Sequence, residues 1–231
     1  MAEPRVVPVP VSQIHVPEED RSRLRDEWFP IVAHAVIHRD GVFLFDTGIG
    51  TGNEEIERIF TPRTTPIADA LAAVGIAMAD VTGVANCHLH FDHGGQNSRI
   101  PPGVPIFAQR REWQMVHRPD YTVPEWIDVP GLTYELLDGE AEVGPGLRLI
   151  PTPGHAPGHQ SLLVETDVGT VVLAGQAVQS RAEWEGSVDE RDTGEPGAPD
   201  HEAYVASVRR LRSLDPVGVH FAHDPEVWRR A

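Results

Sequence analysis

Apolar and polar runs divide the chain into many short strands and a few helices. "IVAHAVIHRDGVFLFDTGIGTG" reads as two strands about a turn at Arg39-Asp40-Gly41, the second running into Asp46-Thr47-Gly48. "PIADALAAVGI" has helical apolar spacing behind a proline, and "DVTGVANCHLH" is then a short buried strand. "VPIFAQ" predicts a strand, "RREWQMVHR" a short helix and "PDYTVPEWIDVPGL" an irregular excursion. "YELLDGEAEVGPGLRLIPTPG" gives strands broken at Asp138-Gly139 and Gly144-Pro145-Gly146, and "QSLLVETDVGTVVLAGQA" a hairpin turning near Asp167 to Gly169. "HEAYVASVRRLRSL" is the clearest amphipathic helix, and "VGVHFAHD" closes the pattern as a strand. Residues 181–199, acidic and rich in Gly and Pro, predict a mobile loop, and residues 1–27 an N-terminal extension or edge strand through "VVPVPV". No internal repeat is visible, so the expectation is one α+β domain over 1–231.

Composition narrows the function. A chain of 231 residues with 40% hydrophobic content can bury one sizeable core. No apolar run is long enough for a membrane span, and "MAEPRVVPVPVSQ" lacks the basic segment and apolar core of a signal peptide, which predicts a cytoplasmic protein with no membrane partner. The lone Cys87 excludes a disulfide framework and a four-cysteine zinc site. A net charge of −16 argues against nucleic acid, and "RRLR" at 209–212 reads as the solvated face of a helix. All 19 basic residues are arginine, which removes Schiff-base, lysine-nucleophile and P-loop chemistry. A small-molecule substrate remains, with a monomer or homodimer as the assembly.

The chemistry concentrates in "HLHFDHGG", residues 88–95, which packs four ligand-type side chains into six positions behind a buried strand. His88 and His90, two apart, share a face of an extended chain and can converge on one ion. A turn at Asp92-His93-Gly94-Gly95 aims the next two elsewhere. Six residues cannot wrap four ligands tetrahedrally around one zinc, so the run serves two ions, or one ion and a second layer of contacts. Further ligands must come from other strand ends: "TPGHAPGHQSLL" with His155 and His159, "LAGQAVQ" with Gln176, and "HFAHD" with His223. His34, His38, His117 and His201 lie in no motif, and His220 falls on the opposite strand face from His223.

Together "HLHFDHGG", "FDTG", "TPGHAPGHQSLL" and "FAHD", in this order over residues 31–228, resemble the metallo-β-lactamase superfamily, and "GHQSLL" resembles its N-acyl-homoserine lactonase-like branch. The resemblance implies an αββα sandwich with two zinc-type ions at the sheet edges. It implies that His88, His90 and His155 hold the first ion, and that Asp92, His93 and His223 hold the second. Asp46 would orient a ligand histidine, and His159 would sit beside the site without ligating. One ion rather than two, and iron or manganese rather than zinc, stay open. The chain departs from the family where a bridging aspartate is expected, placing Gln176 there, and has Gln179 where lactonases carry a substrate-contacting tyrosine.

The implied reaction is hydrolysis of an ester or lactone by a metal-activated water, with Asp92 orienting that water or receiving its proton. A glyoxalase II-like thioesterase is the alternative, or a metal-binding homologue with non-hydrolytic or lost activity. Gln179, Trp113, Tyr121, Trp126 and Trp184 are the candidate substrate contacts.

Overall fold

A computed structural model describes residues 4–15, 28–186 and 200–230. Two β-sheets pack face to face. The first is built from β1 (Arg5–His15), β2 (Trp28–His38), β3 (Gly41–Phe45), β4 (Arg63–Thr64), β5 (Val81–Ala85), β6 (Pro105–Gln109) and β7 (Thr133–Leu137), in the spatial order β4-β1-β2-β3-β5-β6-β7. The second holds β8 (Ala141–Gly144), β9 (Leu147–Pro151), β10 (Gln160–Thr166), β11 (Gly169–Leu173), β12 (Gly218–His220) and β13 (Trp228–Arg229), in the order β13-β12-β11-β10-β9-β8. Helices α1 (Glu54–Phe60), α2 (Ile67–Ala73), α3 (Arg110–Trp113), α4 (Pro124–Ile127), α5 (Arg181–Glu185) and α6 (His201–Ser213), with short 3-10 turns at Met78–Asp80 and Asn97–Arg99, complete the described elements.

The layering follows from strands that are apolar on both faces, the pattern of sheets covered on both sides. In β3, Phe43 and Phe45 point between the sheets, where they meet Leu147, Leu149, Leu162, Val164 and Leu173 from the other sheet. Val42 and Leu44 point the other way and pack beneath Ile67, Ala70 and Leu71 of α2. On the far side Leu163, Val172 and Val219 pack against Tyr204, Val208 and Leu211 of α6. The result is the expected α+β sandwich with helices on both outer faces.

Strand β1 pairs with β2 along nearly its whole length, despite Pro8 and Pro10. Those prolines lie two apart, so both turn their missing donors to the same side. Strand β4 pairs there only with Ser12 and Gln13, leaving the proline stretch without a ladder to break. Residues 16–27 lie outside the described residues, as do 187–199. The rest of the predicted mobile loop is corrected: Arg181–Glu185 is a helical turn capped by Ser180, whose side chain accepts from the Glu183 N–H, and Trp184 is buried beneath α6. The excursion before β7 also contains a helical turn, α4, with Pro124 at its start. The "RRLR" arginines are less solvated than expected, because Arg210 donates to the Pro151 carbonyl and Arg212 to the carbonyls of Trp184 and Gly186.

His34 and His220 meet edge to face, ring centroids 5.2 Å apart, and both are buried. Burial, then the neighbouring Arg229, pulls His220 down to about 4, and burial, then His220, holds His34 well below its ordinary range. In the unfolded chain both bind protons at ~6.5, so the unfolded state takes up more protons as pH falls below that value. We expect the Tm of the chelator-treated protein to fall as pH is lowered from ~6.5 towards 4, through these two and the site histidines described next; a flat Tm across this window would contradict it.

Candidate metal centre

The strands that end in ligand-type residues end at one edge of the sandwich. Strands β3 and β5 run parallel, and so do β11 and β12; β9 and β11 flank β10 antiparallel on either side, which gives those two the same direction. Their carboxyl ends therefore deliver Asp46, residues 86–93, His155, Gln176 and His223 to one place. A backbone bond from the Gln160 N–H to the Cys87 carbonyl ties the two sheets there, and the Gln160 amide donates to the carbonyls of Asn86 and Phe107.

Strand β5 stops at Ala85, so His88 and His90 sit on bent rather than extended chain. They converge nonetheless. His155 Nε2 lies 3.1 Å from both His88 Nε2 and His90 Nδ1. Burial first, then neighbouring histidines, holds His88 well below its usual range and His90 at about 3, so these two rings are neutral imidazoles.

The adjoining pocket holds Asp92, His93 and His223. Asp92 Oδ2 is 3.4 Å from His93 Nε2 and 3.8 Å from His223 Nε2. His223 is positioned by donating from Nδ1 to the Pro30 carbonyl and by stacking on Phe29, centroids 4.4 Å apart. Its Nε2 is buried with no hydrogen-bond partner among the described residues. Burial, then His93, lowers His223 to about 4. Burial alone would lower His93 as well, yet the facing carboxylates of Asp92 and Asp46 raise it well above its ordinary range. Burial alone would raise Asp92, but His93 holds it well below the carboxylate range.

Behind these groups Asp46 does the orienting. Its Oδ2 accepts from His93 Nδ1 at 3.0 Å and its Oδ1 from the Cys87 N–H at 2.8 Å. Asp46 has φ 67°, a left-handed conformation costly for a non-glycine residue, and these two bonds hold it there. His159 accepts the Gln176 N–H at Nε2 and contacts the Thr152 hydroxyl through Nδ1, so both ring nitrogens are engaged away from the pockets. Gln176 is itself buried, with Oε1 3.1 Å from His93 Nε2.

Of the aromatic candidates, Tyr121 reaches the site: its ring meets His90 edge-on at 4.6 Å. Trp113 packs on Tyr134, and Trp126 covers Gly50. Trp184 lies in the core beneath α6, against Trp228, and is not brought to the site. Gln179 is half-buried, its backbone N–H donating to Glu183. Phe29 and the fully buried Glu112 were not anticipated. Phe29 is an apolar residue at a strand start, and Glu112 reads in "RREWQ" as one more surface charge; neither carries a motif.

The donor set fits a metal. The His155 Nε2 within hydrogen-bond distance of two other ring nitrogens, with one proton at most to share between them, together with an orphaned Nε2 facing a carboxylate, is the arrangement a cation would complete. The groups His88, His90, His155 and His88, Asp92, His93 each bring their ligand atoms within 4.8 Å of one another. No helix among the described residues is long and apolar enough to cross a membrane.

Comparison with known proteins agrees with this geometry. The profile of the metallo-beta-lactamase superfamily matches residues 26–223. The N-acyl homoserine lactonase AiiA of Bacillus thuringiensis subsp. kurstaki is 33% identical over 216 residues, covering 85% of this chain and 82% of its own length. The N-acyl homoserine lactonase AttM of Rhizobium radiobacter is 34% identical over 179 residues, 69% of this chain and 64% of its own. Among solved structures, a quorum-quenching N-acyl homoserine lactone lactonase superposes with a TM-score of 0.78 at 27% identity, covering 97% of this chain and 94% of that one. A second, an N-acyl homoserine lactone hydrolase with the product N-hexanoyl-L-homoserine at its catalytic metal centre, gives 0.76 at 27% identity, covering 96% and 93%. With the sandwich, the clustered ligands and these likenesses in agreement, the chain belongs to the metallo-β-lactamase superfamily, as a metal-dependent hydrolase of its lactonase-like branch.

Proposed function

We propose that this hydrolase opens the ring ester of N-acyl homoserine lactones, using two zinc ions in the adjoining pockets. The observation that carries the reading is the convergence of His88, His90 and His155 beside Asp92, His93 and His223 at one sandwich edge. The likeness to lactonases over most of the chain supports the substrate. His88, His90 and His155 would hold one ion, and Asp92, His93 and His223 the other, with the Gln176 carbonyl turned towards the second. Bound ions supply Lewis acidity and an activated water.

The chain's own groups do the rest. Asp92, half-buried and anionic, is placed to orient the attacking water and take its proton. Asp46 keeps the His93 ring turned so that Nε2 faces the pocket, a hydrogen bond that also makes the ring a better donor to a cation. Phe29 and Tyr121, against His223 and His90, wall the pockets with apolar surface.

Assay of the metal-loaded protein on an N-acyl homoserine lactone with a six-carbon acyl chain, beside a glutathione thioester, tests the reading. Lactone opening with release of one proton per turnover is expected, with zinc found by elemental analysis. Cleavage of the thioester with the lactone untouched would overturn the substrate, and iron or manganese in the natively loaded protein would overturn the metal.

A further inference from the structure

We propose that Glu112 is a positioning residue, whose buried carboxylate grips the backbone N–H groups of Leu89 and Gly158 and so sets the spacing of the two loops that carry His88, His90 and His155. The inference rests on the metal-centre reading above.

Glu112 lies on α3, outside every ligand motif, yet it is fully buried. Among the described residues it forms no ion pair; it is neutralised by donors alone. Oε1 accepts the Leu89 N–H at 3.0 Å, Oε2 accepts the Gly158 N–H at 2.9 Å, and the Tyr121 hydroxyl donates to Oε1. Burying a carboxylate without a countercharge is costly even when it is hydrogen-bonded, and a well-packed apolar residue would cement a loop at less expense. What an apolar residue could not do is fix three donors from three separate segments at defined angles.

Those donors are placed where they matter to the first pocket. Leu89 stands between His88 and His90, so moving its N–H moves both rings. Gly158 belongs to the loop bearing His155 and His159, and that loop presses directly on α3: a Cβ at Gly158 would lie 2.4 Å from the Glu112 N and 2.5 Å from its Cβ. Tyr121 closes the third side, its hydroxyl on Glu112 and its ring against His90. Burial pushes the Glu112 carboxyl above its usual range, and the Tyr121, Leu89 and Gly158 donors, with His155 nearby, act against that rise.

Glu112→Gln separates these roles from simple packing. It keeps the shape, removes the charge and turns an NH2 towards one of the N–H donors, which then loses its acceptor. Tyr121→Phe leaves the carboxylate and its two backbone donors in place. Cobalt(II) is the probe, with affinity read by chelator competition, ligand geometry by the visible spectrum, and folding by circular dichroism of the chelated proteins. We expect Glu112→Gln to fold, to bind the first cobalt ion about tenfold to a hundredfold more weakly, and to show an altered spectrum, the range seen when outer contacts of metal ligands are removed. Tyr121→Phe should show the same changes at less than about tenfold. Wild-type affinity and spectrum in Glu112→Gln would overturn the proposal. Should that variant fail to fold, the same wild-type behaviour in Tyr121→Phe would overturn it. A wild-type protein that binds no cobalt would instead remove the metal-centre reading itself.

Discussion

Replacing His88 or His155 with alanine is expected to strip the first ion from the protein and lower kcat/KM on a lactone by on the order of a thousandfold, the worth of several kcal/mol of charge stabilisation. Each change deletes one of three clustered ring nitrogens, of which His155 Nε2 lies 3.1 Å from the other two. The two remaining donors cannot close a tetrahedral site. His88 makes the more severe case, since its ring also lies against those of His90, His93 and His159 and its loss opens a hole beside both pockets. Elemental analysis decides the matter: wild-type metal content in both variants would exclude the three-histidine pocket. Chelated samples should separate ligand loss from misfolding, because the half-buried His155 can be removed with little effect on the metal-free Tm.

Gln176→Asp is expected to tighten the second ion by about tenfold to a hundredfold and to raise lactone turnover. Two divalent ions would bring four positive charges into a space where, among the described residues, Asp92 is the one carboxylate directly in the pockets. The Gln176 side chain already faces His93 Nε2 at 3.1 Å, and its backbone is anchored on His159, so a carboxylate there would start from the right place. The gain should depend on pH. A second anion near His93 raises that imidazole still further, and its proton must leave before the ring can bind a cation. The difference between variant and wild type should therefore be larger at pH 9 than at pH 7. Chelator competition over both pH values measures it. An unchanged ion count and affinity would show that Gln176 does not lie between the pockets.

What could be read from the sequence divides along a physical line. The placing of His155 and His223 beside the other candidates was legible because a histidine in a glycine-rich strand-end loop leaves a local pattern, and four such patterns in order leave little freedom. The sandwich was legible for a similar reason: β2, β3, β10 and β11 are apolar on both faces, and each ends in turn residues. Glu112 was not legible, because its burial is decided by Gly158, whose missing side chain lets a distant loop press on α3. Trp184 misled in the opposite sense. Its acidic, glycine-rich surroundings read as loop, but Ser180 starts a helical turn there and the indole fills the space between α6 and Trp228. Hydrophobic period and turn chemistry are local, whereas the partner that buries a charge or an indole is not.

The bond from the Gln160 N–H to the Cys87 carbonyl joins the sheets beneath the pockets, whose residues come from strand ends in both halves of the sandwich. A cation seated above that joint would be gripped by two separately hydrogen-bonded slabs, like a rivet through overlapping plates. Fraying either loop would loosen it, because the donors left on the opposite slab cannot close the site alone. Keeping the cation therefore requires the two plates to stay in register, which couples the residence time of the metal to motion of one slab against the other.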